Sequence, residues 1–170
     1  MNEPDELFVQ VDKHNNVIGP ITKRVSHQKG ILHRTVAILV FNKSGQLLMQ
    51  LRPKTRDLYP GLYTLSATGH VDWTSNGAED YEAAAEREYE EELGKKPTNP
   101  LEFQLTTEID TPTHHVMPYV YHTVDEGPFH TNPKEVEKVE FLSLEEIKKL
   151  AENGQITPPS IITLEKLKLI

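Results

Sequence analysis

Three observations predict an α/β fold, a mixed sheet flanked by helices. The run TVAILVFN at 35–42 is β-branched and apolar almost throughout, as a strand buried on both faces must be. Short strand-like runs recur along the chain and are interrupted by helical patterns with recognisable caps. Finally, 170 residues at 36% hydrophobic and 26% charged suit one domain with a real core and polar loops.

In chain order, LFVQVD (7–12) and NVIGPIT (16–22) read as strands around a polar turn. After the central run, NKSG at 42–45 turns the chain into QLLMQLR, its expected hairpin partner. LYPGLYTLSATGH is punctuated by Pro60 and Gly61 and leads into a further short strand. A helix is expected over 79–93, with Gly94 as its stop signal. EFQLTTEI, HVMPYVYHTV and EVEKVEFLS are three more strand candidates. SLEEIKKLAENG carries Ser143 and Glu146 at capping-box spacing, with Gly154 at its end, and PSIITLEKLKLI gives a last helix.

Composition excludes several classes of function. Eighteen basic against twenty-six acidic residues leave a net charge of −8, which argues against a nucleic-acid polymer as partner. The absence of cysteine excludes disulfides, thiolate ligands and thiol nucleophiles. No apolar run approaches the ~20 residues that span a bilayer, and MNEPDELF lacks the basic and apolar regions of a signal peptide, so no membrane and a cytoplasmic location are expected.

The segment EREYEEELG, 86–94, raises the functional question. Five of its nine residues are Glu, and at about 100° per residue Glu88, Glu91 and Glu92 share one helix face. A solvated acidic face costs only ~0.2–0.5 kcal/mol per like-charged pair, so it is a real alternative. However, Gly94 ends the helix before Lys95 and Lys96 can pair with that face, leaving three carboxylates without adequate internal compensation. Oxygen donors of this kind suit a hard divalent cation, Mg²⁺ above all.

The surrounding residues resemble the Nudix box, the signature of hydrolases acting on diphosphate-linked substrates. Gly69, Glu79, a seven-residue spacer, Arg87, Glu88, Glu91, Glu92 and Gly94 match that pattern. Three positions depart from it: nine residues rather than five separate Gly69 from Glu79, Tyr89 fills one apolar slot, and Lys95 fills the other. The resemblance implies an α/β/α Nudix sandwich over 1–170, with 1–30 as an N-terminal extension packing on it. It implies that Glu88, Glu91 and Glu92 hold Mg²⁺ or Mn²⁺ with the carbonyl of Gly69, and that Arg87 pairs with Glu79. Catalysis falls to Glu88, Glu91, Glu92 and Arg87, with Glu79 and Gly94 structural. Glu88 is one candidate base; Asp125, Glu126 and Glu135 are others, each also readable as an ordinary surface carboxylate.

A longer resemblance, through VDKHNNVIG, SHQKGILHRTVAILVFN, LYPGLYTLSATGH and EVEKVEFLSLEEI, is to the Nudix branch that contains isopentenyl-diphosphate isomerase and hydrolase-like relatives. Thr68 stands where that isomerase has its cysteine, and His115, two residues after Thr113, stands where it has an acid. A hydroxyl and an imidazole do not replace a thiol and a carboxylate in carbocation chemistry, so isomerisation is the alternative and hydrolysis the expectation. The resemblance also implies a second metal on His27, His33 and His70, to which His115 could add a nitrogen; imidazoles suit Zn²⁺ or Mn²⁺. The bland alternative is packed, hydrogen-bonded histidines. Arg34, Arg52, Lys54 and Arg56 are candidate diphosphate anchors, or merely offset the acidic balance. Tyr59, Tyr63, Trp73 and Tyr119 could stack on a substrate group, or pack in the core. A small-molecule diphosphate is the expected partner, a nucleotide-sensing module is a third reading, and a homodimer is a default expectation.

Overall fold

The computed structural model describes residues 5–170; Met1 to Pro4 of the expected N-terminal extension lie outside the described residues. β1 (Leu7–Val11) and β2 (Val17–Thr22) form an antiparallel hairpin, and α1 (Lys23–Lys29) follows at once. Sequence patterning assigned nothing to α1, although its caps are readable in retrospect. The Thr22 side chain accepts from the Val25 N–H, and Gly30 closes the helix in the left-handed region.

β3 (His33–Phe41) is the axis of the sheet and explains its own composition. Val36, Ile38 and Val40 enter one core cluster, whereas Ala37 and Leu39 enter the other, so successive side chains are buried on opposite faces. β4 (Leu47–Leu51) pairs with β3 across the expected turn, but only at Phe41↔Leu47, so the hairpin is shorter than the sequence suggests. β4 diverges to pair with β5 (Tyr63–Thr64), while β6 (Ala67–His70) takes the vacated edge of β3 from Ile38↔Ala67 to Thr35↔His70. The divergence carries the last residues of β6 to the centre of the sheet, beside the acidic helix.

The nine residues between Gly69 and Glu79 are ordered by a small hairpin, β7 (Trp73–Thr74) with β8 (Gly77–Ala78). The Glu79 N–H donates to the Asp72 carbonyl at 2.9 Å, closing the loop before α2 (Tyr81–Leu93) begins. Glu79 therefore precedes the helix rather than opening it. β9 (Glu102–Thr106), β10 (Ile109–Asp110) and β11 (His115–Val124) follow, with β11 parallel to β3 over its whole length. β12 (Lys138–Leu142) pairs with β4, and α3 (Leu144–Glu152) and α4 (Pro158–Lys166) complete the chain. The expected capping box is present on α3: Ser143 accepts from the Glu146 N–H and Glu146 accepts from the Ser143 N–H.

Tyr81, Ala84, Ala85, Tyr89 and Leu93 pack α2 onto one sheet face, and Ile147 and Leu164 pack α3 and α4 on the other. The result is the α/β/α layering the sequence predicts. Burying each large side chain contributes about 1.5–3 kcal/mol, so α2 is fixed by its apolar stripe despite its charge. That stripe leaves the glutamates no choice of direction.

Candidate active site

With one face of α2 buried, Glu88, Glu91 and Glu92 all line a cavity of about 910 Å³ over the sheet. The three are held differently. Glu88, its side chain 13% exposed, lies 2.8 Å from Arg87 Nη1, and the more exposed Glu91 lies 3.5 Å from the same nitrogen. Arg87 also pairs with Glu79 at 3.0 Å and Asp72 at 3.3 Å, and Nη2 donates to the His70 carbonyl at 2.9 Å. The Arg87–Glu79 pair is thus as expected, but Glu88 and Glu91 have more compensation than the sequence suggests, because the same guanidinium reaches both. Glu92 makes no ion pair among the described residues. Its Oε2 instead accepts from the Gln50 side chain at 2.7 Å and the Thr68 N–H at 3.2 Å.

The electrostatics favour an added cation. Burial pushes the Glu88 carboxyl up to about 7, against the pull of Arg87 and with repulsion from Glu91 and Asp72. Burial and the Glu88 charge push Glu92 up to about 8, more than its hydrogen bonds recover. Arg87 is desolvated, yet its carboxylate partners hold it firmly protonated. Acids crowded to this degree gain by sharing a divalent cation, which replaces protons as the counter-charge. The donor set, three carboxylates beside a backbone strand, fits Mg²⁺ or Mn²⁺.

Both glycines of the motif have a steric reason. A Cβ at Gly69 would overlap the Glu88 carboxyl group, so glycine lets the strand and the acid approach. Gly94 is left-handed, φ 74°, and a Cβ there would overlap the His130 carbonyl.

A second cluster stands nearby. Ligand nitrogens of His27, His33 and His70 lie within 4.8 Å of one another. His33 is 1% exposed, and Nε2 of both His27 and His33 is buried without a hydrogen-bond partner. Desolvation lowers His33 to about 4 and His70 well below the ordinary range, so both rings are neutral with free lone pairs. Phe8 stacks on His70 at 3.9 Å between ring centres.

Residues 31–162 match the NUDIX domain family. The chain belongs to the Nudix family. It is 39% identical over 120 residues to isopentenyl-diphosphate Delta-isomerase 2 of Photorhabdus laumondii, a match covering 71% of this chain and 58% of that one. An uncharacterized Nudix hydrolase of Pseudomonas aeruginosa is 30% identical over 149 residues, 85% of each chain. The chain thus spans 58% of the length of that isomerase and 85% of the length of the hydrolase. Among solved structures, a Deinococcus radiodurans protein superposes with a TM-score of 0.72 at 23% identity, covering 89% of this chain and 92% of that one. The Nudix domain of Shewanella oneidensis NrtR, solved with ADP ribose, gives 0.62 at 17% identity over 81% and 85%. Those two likenesses speak for the Nudix fold alone.

Against the Nudix box, the remaining expectations sort clearly. Arg52 and Arg56 line the cavity and make no ion pair among the described residues. Arg52 is half-buried, its Nε donating to the Leu58 carbonyl at 3.0 Å. Arg34 is elsewhere: it donates to Asn15 and lies 4.7 Å over the Tyr81 ring, so it does not face the cavity. Lys54 is also outside it. Tyr59 and Trp73 reach the cavity, whereas Tyr63 bonds Glu140 and Tyr119 stacks on Tyr81. Asp125 is buried in a bond set with Tyr89 and Lys95 and does not face the cavity, and Glu126 accepts from the Lys43 N–H. Glu135 does line it. Lys95, in the apolar slot of the box, is explained by Asp125, 2.7 Å away.

His115 is not among the clustered histidines. Its Nδ1 lies 2.8 Å from the Gly30 carbonyl and its Nε2 2.7 Å from Glu108. The neighbouring His114 faces the cavity instead. Sequence reasoning missed Gln50, Asp72 and His114. Gln50 alone carried a signal, a polar residue inside the apolar run QLLMQL.

Proposed function

We propose that the protein is a Nudix hydrolase that cleaves the phosphoanhydride bond of a nucleoside diphosphate-linked or related small molecule by water attack. The observation that carries this reading is the convergence of Glu88, Glu91 and Glu92 on one cavity that Arg52 and Arg56 also line. Mg²⁺ or Mn²⁺ on these carboxylates, when bound, supplies charge neutralisation at phosphorus and a more acidic water. Arg52 and Arg56 bind diphosphate oxygens by charge-assisted hydrogen bonds and fix the scissile bond over α2. Glu88 is our assignment for the base, with Glu135 as the next candidate on the same cavity. Arg87 and Gln50 position the acids rather than touch substrate. Tyr59 and Trp73 offer aromatic faces for a base or sugar.

A second reading rests on the histidine cluster and on the isomerase relative: an isomerase-like enzyme, with a second metal on His27, His33 and His70. We place hydrolysis first, because Thr68 and His115 cannot serve as the thiol and carboxylate pair. Incubating the protein with Mg²⁺ and a panel of nucleoside diphosphates, dinucleotides, nucleotide sugars and isopentenyl diphosphate, read by phosphorus NMR, tests both. Release of phosphate-containing products supports hydrolysis; double-bond migration in isopentenyl diphosphate, with no hydrolysis, reverses the order. Tight binding without turnover across the panel supports a nucleotide-sensing module instead.

A further inference from the structure

Residues 53–61 join β4 to β5 as a loop whose Thr55, Arg56, Asp57, Leu58 and Tyr59 line the cavity, while Pro60 and all but Leu58 and Tyr59 of these are exposed. We propose that this loop is a flap over the cavity, latched shut by Tyr59 on Thr113, and that a bound diphosphate holds it closed through Arg52 and Arg56. The link to the diphosphate rests on the hydrolase reading; the latch does not.

The loop is fixed at its stem and at its tip. At the stem, the Arg52 N–H donates to the Leu62 carbonyl at 2.9 Å and the Gly61 N–H to the Arg52 carbonyl at 3.1 Å. The tip is held by one residue. The Tyr59 hydroxyl is hydrogen-bonded to the Thr113 hydroxyl, and the Tyr59 ring stacks on His114 with centres 5.4 Å apart at 19°. Among the described residues, no other hydrogen bond or ion pair joins 53–61 to a segment beyond its own stem. The receiving side is a closed turn between β10 and β11. There the Thr111 N–H donates to the His114 carbonyl at 2.7 Å and the His114 N–H to Thr111 Oγ1 at 3.0 Å.

The latch works against the backbone. Tyr59 has φ 51°, in the left-handed region that a residue with a bulky side chain rarely adopts. One hydrogen bond and one ring stack, contacts of a size similar to that strain, offset it. A contact that does little more than offset its own strain opens readily, which is the property of a gate and not of a wall.

Arg52 links the flap to a ligand. Its Nε donates to the Leu58 carbonyl at 3.0 Å, beside Tyr59, and its two Nη groups make no hydrogen bond among the described residues. One edge of the guanidinium thus holds the flap and the other is left for phosphate oxygens. Arg56 is carried on the flap itself, so a diphosphate bound to both cations ties flap to stem.

Trypsin reads this directly, because Lys54 and Arg56 lie inside the flap and cleavage there tracks the population of the open state. The full chain is digested briefly, and the cuts after Lys54 and Arg56 are timed by mass spectrometry with and without methylene diphosphonate and Mg²⁺. Tyr59→Phe and Thr113→Val remove the same bond, and each should speed both cuts by roughly 2–10-fold, the worth of one ordinary hydrogen bond. The double variant should match either single one, because there is one bond to lose. Melting curves show that each variant is folded. In the wild type, diphosphonate at about ten times its dissociation constant should slow both cuts roughly 10-fold. Unchanged cleavage in both folded single variants, or effects that add in the double variant, overturns the latch. Latch variants that behave as expected, with no protection by diphosphonate, overturn the link to the ligand alone. Phosphorus NMR of the substrate panel on the same preparation then shows whether the hydrolase reading falls with it.

Discussion

Around Arg87, two carboxylates of α2 and two of the loop before it share one guanidinium; nearby, imidazoles with unpartnered nitrogens are held by stacked rings and carbonyls. Both clusters contain polar groups that burial penalises, but they are held in place by opposite means. The acids are tied by charge: remove Arg87 and Glu79, Asp72, Glu88 and Glu91 lose their shared partner. The histidines are neutral and are tied by packing, so they stay assembled without any counter-charge. The acid cluster is therefore the one that responds to ions and point charges, and the histidine cluster the one that responds to shape and to donor identity.

The largest effect is expected at Glu92, which makes no ion pair among the described residues. Glu92→Gln keeps the hydrogen bonds from Gln50 and Thr68 within reach but removes the charge. Turnover should fall by about 10²–10⁴-fold while thermal stability holds or rises, as measured by steady-state kinetics and calorimetry. Undiminished turnover would mean that the carboxylate is not part of the chemistry. Gly94→Ala should act on the fold instead, because the new Cβ meets the His130 carbonyl in a left-handed backbone. We expect a loss of about 3 kcal/mol in urea unfolding, with activity per folded molecule retained.

Gln50→Leu leaves every charge in place. It frees one Glu92 oxygen and should weaken activating-metal affinity by roughly 10–100-fold, seen as a raised Mg²⁺ requirement with a smaller change in kcat. The smallest of the four effects is expected outside both clusters, at Asp125. Burial there raises the carboxyl pKa, but Lys95, the Gly127 N–H, Tyr89 and Thr98 together lower it to about 2. A folded-state pKa below the unfolded value contributes stability above pH ~4, lost as pH falls through the window from ~4 to ~2. Asp125→Asn should therefore cost on the order of 2 kcal/mol at pH 7 and flatten that acid-side slope. An unchanged slope between pH 4 and 2 in the variant would show that Asp125 does not carry it.

The sequence was most informative where function fixes spacing. The box glutamates, Arg87, its Glu79 partner and the left-handed Gly94 could all be placed before any coordinates, because a helix converts sequence separation into direction. Strands convert it into alternation, and there the reading depends on knowing the register. His114 and His115 are adjacent and stand on either side of the start of β11, so one faces the cavity and the other meets Glu108 and Gly30. No local pattern says which. Arg34 lies off the cavity for a related reason: its partner Asn15 is nineteen residues away in the β1–β2 turn, a contact only the tertiary fold creates. The β3–β4 hairpin forms but stops after one pair, because β6, from beyond the hairpin, takes the rest of that edge.

We propose that the α2 acids, and not the histidines, hold the ion at the scissile bond. Crystals grown with Mn²⁺ and a non-hydrolysable methylene diphosphonate nucleotide, measured at an energy where manganese scatters anomalously, test it directly. We expect anomalous density among Glu88, Glu91 and Glu92, in contact with the diphosphonate and within reach of Arg52 and Arg56. Manganese and diphosphonate found together on His27, His33 and His70, with the α2 acids bound to nothing but Arg87, would contradict it.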